Sequence, residues 1–296
     1  MKTKDWLVFT LLGVIWGSSF LWIKIAVQEI TPILLVSFRL LFGGVGLAIA
    51  ALFLRPEWPR QRRIWLFLIL FGFTNNAIPY VLISWGEQFI DSGVAAILNS
   101  TTPLFTMVVA HFFLHDDRIT PTRLGGLLIG FIGIIILVSR DFQSGMQVNI
   151  LSQVAVLIAS ALYAISSVLA RRTTRGVQPI VQGLIPLPGA GAFLWITTLA
   201  IYRPLTLPKL PITWVAILWL GLLGTAIAFL LYFYLLNSVG PTRTTLVTYV
   251  FPLVGVILGV VLLNEALNWQ LILGGTLVVS SIIVVNRKSS KGIIGR

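Results

Sequence analysis

The chain has 296 residues, of which 57% are hydrophobic and only 10% charged, with a mean hydropathy of +0.97. Soluble domains carry about 25% charged residues, so a soluble enzyme, a disordered chain and a coiled coil are excluded and an integral membrane protein is left. The net charge of +12 does not point to nucleic acid, because the basic residues sit in short clusters between apolar runs rather than in a tail or along one helix face.

A membrane-spanning helix needs about 20 apolar residues. Ten such runs are read in chain order: 6–27, 33–54, 64–85, 92–114, 122–139, 150–170, 180–202, 212–236, 245–263 and 269–286. They are continuous, as in VILGVVLL and IGFIGIIILV, whereas barrel strands alternate apolar with polar residues. The fold class is therefore all-α. The first run is long for a signal-peptide core and lacks a small-residue cleavage site, so it is read as a permanent helix. Glycines inside the runs, such as Gly43, Gly44 and Gly46 or Gly125, Gly126, Gly130 and Gly133, are read as points of close helix approach.

Orientation follows from the loops. With the N-terminus in the cytoplasm, that side holds Lys2, Lys4, Arg55, Arg60, Arg62, Arg63, Arg118, Arg123, Arg171, Arg172, Arg175, Arg243, Arg287, Lys288, Lys291 and Arg296. The opposite side holds only Arg140, Arg203 and Lys209. The expectation is a multi-pass protein of the inner or plasma membrane with both termini cytoplasmic, its charge facing anionic lipid head groups.

The chain also matches itself. Displaced by roughly 149 residues, Trp65 meets Trp214, Gly72 meets Gly221, Ala77 meets Ala226, Pro103-Leu104 meets Pro252-Leu253, Leu124-Gly125-Gly126 meets Leu273-Gly274-Gly275, and Asp116 meets Glu265, an order-preserving series that reads as an internal repeat. Residues 1–140 and 141–296 then hold five runs each. Because five is odd, the second half enters the membrane upside down. Inverted repeats characterise secondary transporters, whose two similar halves allow two similar states, one open on each side. A channel, or a membrane-embedded enzyme or receptor without transport, is the alternative.

Catalytic chemistry is not expected. The chain has no cysteine and only two histidines, His111 and His115. It has no His/Asp/Glu set at metal-ligand spacing and no nucleophile elbow, P-loop or dinucleotide fingerprint. No cofactor and no metal are implied; the partners expected are a small-molecule metabolite and the lipid bilayer.

Polar residues inside the apolar runs are the candidate pathway, since they are expensive there unless they face protein or water. Lys24 and Arg39 are the two intramembrane cations. Lys24 reads either as an anchor whose ammonium reaches the interface or as a pathway residue. Arg39 lies deeper and would bond helix-end carbonyls or a substrate carboxylate. Glu29, Glu87 and Asp91 lie toward the same side as possible partners for these cations, with Glu87 read as a solvated loop acid. No Asp or Glu reads as deep enough to carry a proton. Asn75 and Asn76 precede Pro79 and Tyr80, where proline frees a carbonyl one turn back; they serve either a ligand at a broken helix or hydrogen bonds between helices. Asn99 and Thr102 precede Pro103, and Thr244, Thr245, Thr248 and Tyr249 precede Pro252, as paired hinges or paired cavity walls. Pro79, Pro103 and Pro252 are the hinge candidates. Trp16, Ser19 and Trp22 match Tyr163, Ser166 and Leu169 in the repeat, so an aromatic wall from each half is expected. His111 is a candidate for proton coupling, set against an ordinary packed or interfacial role.

Four stretches carry a resemblance: GVIWGSSFLWIKIA, SFRLLFGG, DSGVAAILNSTTPLFTMVVAHFFLHDDRITPTRLGGLLIGFIGIIIL and VGPTRTTLVTYVFPLVGVILGVVLLNEALNWQLILGGTLVVSSIIVV. The doubled order of small residues, proline, apolar run, acid and Leu/Ile-Gly-Gly resembles the EamA-type branch of the drug/metabolite transporter superfamily, over residues 6 to 287. The resemblance implies ten helices in two inverted repeats and movement of small metabolites such as amino acids, export above all. It also implies a central cavity surrounded by helices 1–4 and 6–9, with helices 5 and 10 peripheral. His115-Asp116-Asp117 departs from the Gly-Glu-like pair usual in the first repeat, while Asn264-Glu265 keeps the pattern in the second.

Overall fold

The computed structural model describes residues 2–113, 119–143, 147–202, 205, 207–240 and 244–286, and all its regular elements are helical. His115, Asp116, Asp117, Arg118, Arg203, Arg243 and the basic cluster from Arg287 onward lie outside the described residues. The helical segments are α1 (Thr3–Ala26), α2 (Pro32–Leu54), α3 (Arg62–Gly86), α4 (Ser92–Phe113), α5 (Pro121–Gln143), α6 (Gln147–Thr173), α7 (Pro179–Ile201) and α8 (Pro211–Val239). They are followed by α9, a 3-10 turn over Thr245–Tyr249 that runs into Val250–Leu263, and by α10 (Trp269–Asn286). Nine of these are long and apolar enough to cross a membrane among the described residues; the apolar part of α10, Trp269–Val285, is shorter.

Local chemistry sets the ends. Proline opens α2, α5, α7 and α8, where its missing N–H costs nothing and its fixed φ suits a first turn. Arg55 at φ 44° closes α2 and Asn264 at φ 56° closes α9, a left-handed turn that Asn tolerates better than most side chains. The outward faces carry apolar side chains such as Leu52 and Phe53, 74% and 82% exposed. Water would not tolerate so many; hydrocarbon does.

Helix pairing is reciprocal between the two halves. α2 packs on α8 as α3 packs on α7, α4 on α6 as α1 on α9, and α3 on α6 as α1 on α8. The pairs α2–α7, α4–α9 and α5–α10 complete the pattern. The irregular turns follow it in part. α3 contains a π-helical turn over Phe73–Ala77 and α8 one over Trp219–Ile227. α4 breaks where Ser100 and Thr101 return their hydroxyls to the carbonyls of Ile97 and Leu98, both at 2.6 Å, and α9 begins with its 3-10 turn. Pro79, Pro103 and Pro252 each stand just after one of these turns. Other bends lack a counterpart: α1 bends at Ser18 and α7 at Ile185, while α6 and α2 run unbroken.

Candidate functional site: a central cavity closed at one end

A cavity of about 770 Å³ occupies the middle of the bundle, in the size range of small-molecule sites, and every one of α1–α4 and α6–α9 contributes to its wall. α5 and α10 contribute nothing; they pair with each other, Gly126, Gly130 and Gly133 facing Val285, Ser281 and Gly274. Gly125 on the same helix meets no neighbour, so packing accounts for three of its four glycines. The cavity reaches the surface at the connection between α6 and α7, through Arg171, Arg175 and Gly176.

Aromatic rings form much of the wall. Trp16 packs against Tyr232 and edge-on against Phe251, with ring centroids 5.7 and 5.9 Å apart. Its indole N–H donates to the carbonyl of Gly224 at 3.1 Å, a group inside the π-helical turn of α8. Tyr80 and Tyr163 meet edge-on from α3 and α6. Ser19, Asn75, Asn99 and Thr102 also line the wall, and Asn76 lines it with a buried amide nitrogen that has no partner among the described residues.

Arg39 is the cation of this wall and is 6% exposed. Its guanidinium lies over the ring of Tyr80, 3.8 Å from the centroid, and its Nε donates to the Thr225 hydroxyl at 3.3 Å. Thr225 in turn donates to the carbonyl of Leu220 at 2.9 Å. Among the described residues the lining includes Arg39, Arg171 and Arg175 and no carboxylate. A ring face offers a cation partial compensation only, so the arrangement leaves Arg39 suited to an anionic group entering the cavity.

The far end is closed by polar contacts between elements. Lys24 donates from Nζ to the carbonyls of Glu87 and Ile90 at 2.7 and 2.9 Å, where a cation suits the C-terminal end of α3. It does not line the cavity. The Glu29 carboxylate accepts from the backbone N–H groups of Lys209 and Leu210 and from the Thr213 hydroxyl at the start of α8. Glu265 accepts from the N–H groups of Ser92 and Gly93 at 2.7 and 3.1 Å at the start of α4. In both cases the acid and the helix it caps come from different halves of the chain. The Thr213 bond and the two backbone N–H groups hold the Glu29 carboxyl below the usual carboxylate range. Trp22 packs on Trp219, whose indole N–H donates to Ser18 at 3.1 Å.

The structure thus gathers Trp16, Ser19, Arg39, Asn75, Asn76, Tyr80, Asn99, Thr102 and Tyr163 in one cavity. Other candidates lie elsewhere. Trp22 and Lys24 belong to the closed end; Ser166 is buried against the Thr74 hydroxyl, 3.0 Å away; the Tyr249 hydroxyl donates to the carbonyl of Ile282. Thr245 lies in the 3-10 turn, its side chain outside the described residues. His111 accepts the backbone N–H of Ile119 on Nδ1 at 3.2 Å. Glu87 is not solvated: it is wholly buried. Thr248, one of the polar residues before Pro252, lines the cavity as well. Lining residues that sequence reasoning missed include Phe20, Gln182, Tyr232 and Phe251. Of these four, only Gln182, a lone amide in an apolar run, had a visible signal.

A helical bundle with lipid-suited faces around a central cavity is a multi-pass membrane protein, and its relatives place it further. Residues 5–139 and 151–287 match the EamA-like transporter family, and the chain belongs to that family, within the drug/metabolite transporter superfamily. It is 34% identical over 259 residues to the uncharacterized inner membrane transporter YedA of Escherichia coli (strain K12), covering 87% of this chain and 82% of that one. It is 27% identical over 293 residues to an uncharacterized transporter of Archaeoglobus fulgidus, covering 96% and 99%. A crystal structure only 20% identical in sequence shares the fold over 96% of this chain and 98% of its own, with a TM-score of 0.65.

Proposed function

We propose that the protein is a secondary transporter that exports small amphipathic metabolites, amino acids among them, across the inner or plasma membrane by alternating access. Ten helices in two inverted halves, 1–140 and 141–296, rock about the central cavity. Both termini face the cytoplasm, so the cavity described above faces inward and the closed end faces outward. The substrate carboxylate binds Arg39, its polar groups meet Asn75, Asn76 and Asn99, and its apolar body rests on Trp16, Tyr80 and Tyr163. Sequence bias in the loops supports the orientation; reciprocal helix pairing and the two matched stretches support the two halves.

The observation that carries this reading is the buried Arg39 in the wall of a cavity open at one end and shut at the other by contacts between halves. Counterflow tests it. Proteoliposomes preloaded with a mixed amino-acid and metabolite pool should accumulate at least one labelled member of that pool against its gradient. Conductance far above carrier rates without counterflow would establish a channel instead.

A further inference from the structure

Glu87 is the first residue beyond the membrane-spanning stretch of α3, and its side chain is 0% exposed. Among the described residues neither carboxylate oxygen has a hydrogen-bond partner. Buried polar groups almost always find one, and an ionised carboxylate lacking one is among the most unfavourable groups to bury. Lys24, which could have paired with it, instead gives its hydrogen bonds to the main-chain carbonyls of Glu87 itself and of Ile90. The other charges that face the carboxyl are Arg39 on α2 and Glu265 between α9 and α10. Asp91 lies four residues further along the same connection. α6 packs on this turn through Ser152 and Val156 against Gly86 and brings no titratable group there. Burial pushes the Glu87 carboxyl well above the usual carboxylate range, against the opposing pull of the Lys24 charge.

We propose that Glu87 is a proton-binding site that ties the closing of this end of the bundle to the pH of the solution beyond it. The proposal rests on the alternating-access reading above. While the end is shut, the carboxyl is protonated and neutral, which removes the cost of an unpaired buried charge. When the end opens, water reaches Glu87 and takes the proton. Lys24, released from the carbonyls of Glu87 and Ile90, then pairs with the new carboxylate. Low pH on that side holds the end shut, and high pH favours opening.

Two measurements test this. Infrared spectra of the purified protein at neutral pH should contain the C=O stretch of a buried carboxylic acid, absent from Glu87→Gln; the lack of any Glu87-dependent band overturns the proposal. The band decides the protonation whether or not counterflow supports transport. The chain has no cysteine, so Ile90→Cys supplies a single reporter at the closed end. The thiol itself titrates in this range, so its labelling from that side is divided at each pH by that of the same cysteine in denatured protein. That ratio should rise with pH by up to about tenfold per unit, the limit for one proton, and Glu87→Gln should keep it low at every pH. A ratio for Ile90→Cys alone that stays flat from about pH 6 to 9 overturns the gating, even if Glu87→Gln does not fold.

Discussion

Arg39 and Glu29 show how a single charge is used differently in the wall of the cavity and at its closed end. Arg39 faces a space lined by rings, amides and hydroxyls, so a bound carboxylate would be its first full counter-charge. Hydrogen bonds to charged groups are worth about 1.5–3 kcal/mol. Arg39→Gln should therefore raise the half-saturating substrate concentration in counterflow by about 10- to 100-fold while leaving the protein folded. An unchanged value would remove Arg39 from the binding site. Glu29 works through its ionised form. Its carboxyl is held low by the Thr213 hydroxyl and the N–H groups of Lys209 and Leu210, so its contribution is complete at pH values above the ordinary carboxylate range. It is lost as pH falls through the lowered value. The thermal midpoint of wild type should exceed that of Glu29→Gln at neutral pH, with the gap closing in acid; a gap that persists in acid would contradict the assignment.

Helices meet here through missing side chains as much as through present ones. A Cβ on Gly133 would lie 2.8 Å from the carbonyl oxygen of Gly274, which locks α5 to α10. Gly133→Leu should separate that pair and lower stability by about 1–3 kcal/mol, the usual cost of overpacking. Counterflow should survive, because neither helix lines the cavity; abolished counterflow in a folded Gly133→Leu protein would give the pair a part in transport. Gly259 plays a different role. A Cβ there would collide with the Glu265 carboxylate and the Ser92 hydroxyl, so glycine is what lets Glu265 reach the start of α4 from the turn made by Asn264. The prolines belong to this scale too. Pro79, Pro103 and Pro252 each follow a turn already out of α-helical register, and none of the three lines the cavity.

At the scale of the whole bundle, the closed end is held by a few bonds between halves, and each is small compared with the helix packing around it. Losing a helix cap costs about 0.5–2 kcal/mol. Glu265→Gln should therefore shift the balance toward the opposite-facing state by about 2- to 30-fold. Labelling of a single cysteine at Ile90 from the closed side would report it as faster reaction, and no change in rate would show that Glu265 is not part of the closure. The irregular turns are less symmetric than the helix pairs: the break at Ser18 in the first half and the break at Ile185 in the second each lack a counterpart, while the helix pairs are reciprocal.

The ten apolar runs were legible in the sequence because hydrocarbon demands long continuous apolar stretches, a constraint local enough to read residue by residue. The repeat was legible because Trp65 and Trp214, or Pro103 and Pro252, keep the same order in both halves. Trp16, Arg39, Asn75 and Tyr80 could be picked out as pathway candidates because polar and amphipathic groups inside such runs need protein or water beside them. Which of them share a cavity was decided only by tertiary structure. Helix rotation turned Tyr249 toward Ile282 and brought Tyr232 and Phe251 to Trp16, and nothing in those runs sets that angle. The same holds for Glu87, Glu29 and Glu265. The sequence places all three in short connections where an acid is ordinarily solvated, and only the packing of one half against the other buries the first and seats the other two on helix ends far away in the chain.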